Sequence, residues 1–186
     1  MSVEARGTLV GEALRMNESG ANVVGIYTAP FSGAPMEQQG AVVLVENLGI
    51  VGDRYTLGTG TWSDPRWSNQ ELTLFASEVA EAIGIEPYLA RRNIITRGVD
   101  LADLVGLRFR IGRALLAGVR VCSPCRYIQT INHRAGLTKA LGGANGGLRA
   151  HIIEGGMVRL GDAIEIVGVE EDEPTSANAP PSAPSA

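Results

Sequence analysis

Ala114-Leu115-Leu116-Ala117-Gly118-Val119 runs directly into Arg120-Val121-Cys122-Ser123-Pro124-Cys125-Arg126. The apolar part reads as a strand. Pro124 cannot donate a ladder hydrogen bond, so it ends that strand and turns the chain. The turn carries the only two cysteines of the chain, three positions apart, with an arginine on each side. The thiols are therefore expected at a strand mouth rather than in a core. Cationic neighbours favour the thiolate, the form that attacks electrophiles and binds soft metals.

Outward from this turn, short strands dominate. Val23-Val24-Gly25-Ile26-Tyr27-Thr28, Ala41-Val42-Val43-Leu44-Val45-Glu46 and Gln70-Glu71-Leu72-Thr73-Leu74-Phe75 are apolar or β-branched runs. A strand over residues 93–96 starts behind Arg91 and Arg92 and ends before Arg97. Residues 104–112 alternate apolar and basic, as a half-exposed strand does. Residues 127–131 read as a further strand, and Gly161-Asp162 as a hairpin turn between two strands near the C-terminus. A short helix is predicted from Ser77, its candidate cap, to Gly84, its stop. A second covers residues 137–141, and the glycine-rich residues 142–149 read as a flexible loop.

So many short strands with few helices exclude a helical bundle. They also disfavour a doubly wound α/β domain, which needs a helix after nearly every strand. The expected class is mainly β, a barrel-like domain with a few short helices. Its boundaries are residues 21–168, with an N-terminal extension over 1–20. Residues 169–186 form a Pro/Ser/Ala-rich tail with no apolar pattern to bury. The loop holding Trp62 and Trp67 reads as a surface loop pinned by its rings.

The 186 residues fit one domain, and the hydrophobic (45%) and charged (19%) shares are those of a soluble globular protein. A net charge of −4 gives no reason to expect nucleic acid as a partner, so an anion site must come from local arginine clusters. No signal peptide and no span long enough to cross a membrane is apparent, and two cysteines make no secreted disulfide framework. A cytoplasmic protein with reduced thiols is expected.

Cys122-x-x-Cys125 admits several chemistries. Half a zinc site would need ligands from His133 and His151, too far apart for a finger. A thiol–disulfide motif prefers a strand that meets a helix N-terminus, whereas residues 126–131 are β-prone. Two buried, inert cysteines are the bland reading, against which Pro124 and the flanking charge weigh. The remaining reading is one active cysteine that carries sulfur or ligates a soft metal in an anionic cofactor. Arg54, Arg91, Arg92, Arg97 and Arg149 all lie beside predicted turns, where they can reach such a ligand.

Six segments occur in an order that resembles MOSC domains: Gly49-Ile50-Val51-Gly52-Asp53-Arg54, Gln70-Glu71-Leu72-Thr73-Leu74, the stretch from Arg91 to Leu101, Val121-Cys122-Ser123-Pro124-Cys125, Gly147-Leu148-Arg149-Ala150 and Gly161-Asp162. These domains occur at the C-terminus of molybdenum-cofactor sulfurases, alone, or in amidoxime-reducing molybdoenzymes. The resemblance covers about residues 23–167. It implies a β-barrel-like fold and binding of the molybdenum cofactor, a pterin with a dithiolene and a phosphate. The family cysteine matches Cys125, as metal ligand or sulfur carrier. Asp53 and Arg54, Arg91 and Asn93, Ser123 and Arg149 match cofactor-binding positions. Arginine forks suit the phosphate, and the Asn93 amide suits the pterin edge.

The chain has no pyridoxal-phosphate desulfurase domain and no flavin or iron–sulfur motif, so no pyridoxal phosphate is expected. A partner must supply sulfur (a desulfurase) or electrons (a reductase). The function implied is reduction of N-hydroxylated substrates or sulfur relay. The alternatives are a non-enzymatic cofactor carrier and a CxxC thiol–disulfide protein.

Overall fold

A computed structural model describes residues 20–60 and 69–169. The N-terminal extension (Gly20 apart), the tail (Val169 apart) and the Trp62/Trp67 loop lie outside the described residues. In chain order the elements are β1 (Asn22–Thr28), β2 (Glu37–Gln38), β3 (Ala41–Val45), β4 (Gly49–Ile50), β5 (Leu72–Ala76), α1 (Ser77–Ile83), β6 (Ile94–Arg97), β7 (Leu107–Ile111), β8 (Ala114–Val121), α2 (Arg126–Ile131), α3 (Leu137–Ala140), β9 (Leu148–Glu154), β10 (Gly156–Arg159) and β11 (Ile164–Val169). Short 3-10 turns fill Pro87–Ala90 and Gly143–Gly146.

Eight strands form one sheet in the order β11-β7-β8-β9-β5-β6-β1-β2, and β10-β3-β4 form a second. The large sheet curls until its ends meet. Asn22 bridges Ala163, the Val23 amide donates to the Asp162 carbonyl at 2.9 Å, and the Ile164 amide donates to the Ala21 carbonyl at 2.9 Å. The fold is thus mainly β and barrel-like, as the strand pattern predicts. Closure also removes most of the exposed edge that an open sheet would present.

Period-two alternation assigns the two faces. Leu72, Leu74, Ile94, Phe109, Ile111, Leu116, Leu148, Ala150 and Ile152 fill the barrel interior. Phe75 and Ile95 point the other way, into an outer layer with Ala80, Ile85, Ile128, Leu137 and Leu141 under the helices. Each leucine, isoleucine or phenylalanine among them contributes about 1.5–3 kcal/mol when fully buried. That layer fastens α1, α2 and α3 to β5 and β6, which run parallel and are joined through α1.

Four local expectations change. Residues 126–131 form helix α2, not a strand. Ile128 is its one buried residue, and packing in the outer layer overrides the β preference of isoleucine and threonine. The cap position of α1 belongs to Ala76, which is extended and makes no side-chain cap bond, while Gly84 ends the helix in the left-handed region as expected. The chain does turn at Gly161-Asp162, but β10 pairs with β3 and β11 with β7, so the turn carries the chain between sheets. Residues 142–149 are not a free loop. A Cβ at Gly147, where φ is +84°, would lie 2.2 Å from the Leu74 carbonyl oxygen.

Two glycines separate steric from conformational demand. A Cβ at Gly118 would fall 2.0 Å from the Leu104 carbonyl oxygen, whereas Gly136, at φ +81°, has nothing within 4 Å. Gly118→Ala is expected to lose about 3 kcal/mol, through forced backbone displacement. Gly136→Ala is expected to lose only about 1 kcal/mol, the left-handed penalty. Urea midpoints of the two variants check this, and equal losses would refute the close-approach argument.

Candidate functional site

The cysteine turn grows out of β8 and is braced by the glycines that precede β9. The Cys122 amide donates to the Gly147 carbonyl at 2.7 Å, and Gly146 lies so close that a Cβ there would sit 1.8 Å from the Cys122 oxygen. This contact seals Cys122, which is 1% exposed. Pro124 then swings the chain outward, and Cys125 emerges exposed just before α2. Its carbonyl accepts from the Ile128 amide at 3.1 Å and from the Thr138 hydroxyl at 3.3 Å, so the backbone under the sulfur is held at two points. Both thiols are free.

Facing this sulfur is a cavity of about 190 Å³ lined by Ser32, Arg54, Tyr55, Arg91, Arg92, Ser123, Pro124, Cys125, Tyr127, Ile128 and Arg149. Among the described residues, four guanidiniums and no carboxylate stand on that wall. They come from three places: the turn after β4, the turn before β6 and strand β9. Arg54, after β4, is buried beside Asp53 with its Nη1 3.0 Å from Asp53 Oδ2. Its Nη2 donates to the Arg91 carbonyl at 3.3 Å, and the guanidinium lies over the Tyr55 ring at 4.9 Å. Arg91 adopts φ +55°, a left-handed turn that a non-glycine residue holds at a cost of order 1 kcal/mol, and its Nη1 donates to the Ala34 carbonyl at 2.9 Å. The Arg92 Nε donates to the Gly146 carbonyl at 3.1 Å, which ties the cavity to the cysteine brace. Arg149, on β9, reaches the Gln70 carbonyl at 3.5 Å.

Burial pushes the Arg91 pKa below its ordinary value, and the nearby Arg54 charge adds to this, against the opposing pull of Tyr127, Asp53 and Tyr55. Crowded, partly desolvated cations of this kind are relieved by an anion.

Of the positions marked by the sequence, Cys125, Arg54, Arg91, Ser123 and Arg149 meet on this wall. Asp53 and Asn93, each 1% exposed, stand behind it. Asp53 Oδ2 accepts from the Ala29 amide at 3.0 Å, from Arg54 at 3.0 Å and from Asn93 Nδ2 at 3.2 Å, while its Oδ1 accepts from the Tyr55 amide at 3.2 Å. Asn93 also donates to the Tyr27 carbonyl at 3.1 Å and accepts from the Thr73 hydroxyl at 2.8 Å. Arg97 points elsewhere and pairs with Glu81 on the surface. Ser32, Tyr55 and Tyr127 were not singled out by the sequence. The available signal was adjacency, since Tyr55 follows Asp53-Arg54 and Tyr127 follows Cys125-Arg126. Among the described residues no group of three or more His, Cys, Asp or Glu could hold a metal, so His133 and His151 do not complete a zinc site with the cysteines.

Residues 66–165, more than half of the chain, match the family model described as MOSC domain. The YuaD protein from Bacillus subtilis superposes with a TM-score of 0.64 at 20% identity, over 81% of this chain and 97% of that one. YiiM from Escherichia coli gives 0.57 at 19% identity, over 81% and 72%. YiiM from Geobacillus stearothermophilus gives 0.58 at 15%, over 79% and 75%. At such identities these likenesses speak for the fold. No curated protein matches the chain.

Two measurements test the geometry. Asp53→Asn replaces an acceptor shared by three donors with a group that presents a donor of its own, and removes the carboxylate that pairs with buried Arg54. A loss of about 3–5 kcal/mol in urea unfolding is expected. A thiol reagent should titrate one fast group in the native protein and two after unfolding, with Cys125→Ala abolishing the fast one. A fast Cys122 would contradict its burial.

Proposed function

The chain belongs to the MOSC domain family, and on that premise we propose that it binds a molybdenum cofactor in the arginine-lined cavity, with Cys125 as the thiolate ligand of the metal. The observation that carries this reading is the meeting of the exposed Cys125 sulfur with Arg54, Arg91, Arg92 and Arg149 on one wall. The donor set fits the group. A soft, high-valent metal wants thiolate, and a terminal phosphate wants guanidinium forks. When bound, the group supplies a redox-active metal held by sulfur.

The chain's own residues do the rest. Arg54 is pinned by Asp53, and Arg91 by the Ala34 carbonyl, so both present donors without reordering. Tyr55 and Tyr127 border the cavity with ring surface. Cys125 sits on a backbone held by two hydrogen bonds. A fixed sulfur suits a ligand, whereas a relay arm needs reach. The reaction class we assign is reduction of N-hydroxylated compounds, with electrons delivered by a separate reductase.

The test is the protein purified under reducing conditions and assayed for molybdenum, pterin fluorescence and the mass of the Cys125 peptide. Wild type is expected to hold pterin and molybdenum and to reduce an amidoxime with an artificial electron donor. Cys125→Ala should keep the pterin and lose turnover, and Cys122→Ala should keep both. Arg54→Gln and Arg91→Gln should each weaken pterin retention by about ten- to a hundredfold, the worth of a charge-assisted hydrogen bond. A persulfide mass on Cys125 without metal would replace the reading with sulfur relay. Bound pterin without turnover would leave a cofactor carrier, and no pterin at all would end the proposal.

A further inference from the structure

Gln70 and Glu71 belong to the sequence pattern, yet neither lines the cysteine cavity. They hold basic side chains on the next strands. Gln70 Oε1 accepts from the Arg120 Nε at 2.7 Å, and its carbonyl accepts from Arg149. Glu71 Oε1 lies 2.8 Å from His151 Nδ1 and accepts from the Ile152 amide at 2.8 Å.

The register places these side chains together. Leu148, Ala150, Ile152, Leu116 and Phe109 face the barrel interior, so Arg149 and His151 on β9 and Arg108 on β7 face outward. Arg120 is opposite Arg149, and Ala117 is opposite both His151 and Arg108. Directly opposed Cβ atoms lie about 5 Å apart, and positions two apart along a strand about 7 Å. The small Ala117 is thus ringed by Arg108, Arg120, Arg149 and His151, and the ring is continuous with the cavity through Arg149. Among the described residues the carboxylate beside this ring is Glu71, which is already engaged.

Arg108 supplies a second, independent sign. Its Nε is buried and has no hydrogen-bond partner among the described residues. A buried guanidinium nitrogen without an acceptor is unfavourable, and such groups in folded proteins mark a place that an anion or water completes.

We propose that Arg108, Arg120, Arg149 and His151 form a second anion subsite beside the cysteine cavity, which takes the outer phosphate of a diphosphate-bearing ligand. The inference rests on the cofactor reading for the pterin end of that ligand, and on the arginine geometry alone for the diphosphate. The outer phosphate belongs either to an extended form of the cofactor or to a separate nucleoside diphosphate.

The experiment is calorimetric titration of the full chain with inorganic phosphate and with pyrophosphate at fixed ionic strength. Pyrophosphate is expected to bind about tenfold tighter or better, one added charge-assisted contact. Arg108→Gln and Arg120→Gln should erase that preference and leave phosphate binding unchanged, while Arg54→Gln weakens both. Arg108→Gln removes a buried Nε that has no acceptor, so its unfolding midpoint should equal or exceed that of wild type, and lost binding cannot then be misfolding. Equal affinities in wild type, or a preference that survives both substitutions, overturns the subsite. Two phosphates released per pterin would assign the outer one to the cofactor, and one per pterin with the preference intact would assign it to a nucleotide. A pyrophosphate preference in a protein that never holds pterin would sink the cofactor reading and leave the subsite standing.

Discussion

A single carboxylate, Asp53, holds the candidate site in shape. It is 1% exposed and receives hydrogen bonds from the Ala29 amide, the Tyr55 amide, Arg54 and Asn93. Those donors come from the end of β1, the turn after β4 and the start of β6. A buried carboxylate is tolerable only when it is fully bonded and paired with a cation. The structure therefore has little freedom in how these three segments meet. Once they meet, Arg54 cannot swing away, and its Nη2 draws in the Arg91 carbonyl. The left-handed backbone of Arg91 is a strain that this web sustains.

The second brace is made of absent atoms. Gly146 and Gly147 let the chain before β9 lie against the Cys122 and Leu74 carbonyls at distances that any side chain would forbid. Arg92 reaches across to the Gly146 carbonyl. The arginine wall and the sulfur turn are thus fixed to one another through backbone as well as through charge. Positional precision of this kind suits a ligand that must meet a thiolate and several guanidiniums together.

Much of this was legible in the chain itself. The strands declared themselves as short apolar or β-branched runs, with β7 alternating apolar and basic residues, and Pro124 announced where β8 had to stop. Arg54, Arg91, Arg149 and the cysteine pair could be marked because chemistry-bearing residues at turns are positioned to reach a ligand, and the resemblance to MOSC domains picked Cys125 from the pair. Burial was harder to read. Asp53 and Asn93 have the chemistry of ligand contacts, and only three-dimensional packing reveals that every polar atom facing inward already has a protein partner. The segment after Cys125 misled for a physical reason. Ile128, Thr130 and Ile131 favour strands locally, but Ile128 is buried in a cluster with Leu137 and Leu141 and with Phe75 and Ile85, the last two far away in the chain. The Gly161-Asp162 turn was visible, whereas the exchange of sheets across it depends on which partners β10 and β11 find.

The sealing of Cys122 behind Gly146 has a kinetic corollary. With the chain's other cysteine shut away, the sulfur of Cys125 has no thiol within its own chain with which to exchange electrons or sulfur atoms. Any such exchange is then an encounter between two molecules, first order in each, and its rate in a cell follows the abundance of whatever meets this surface.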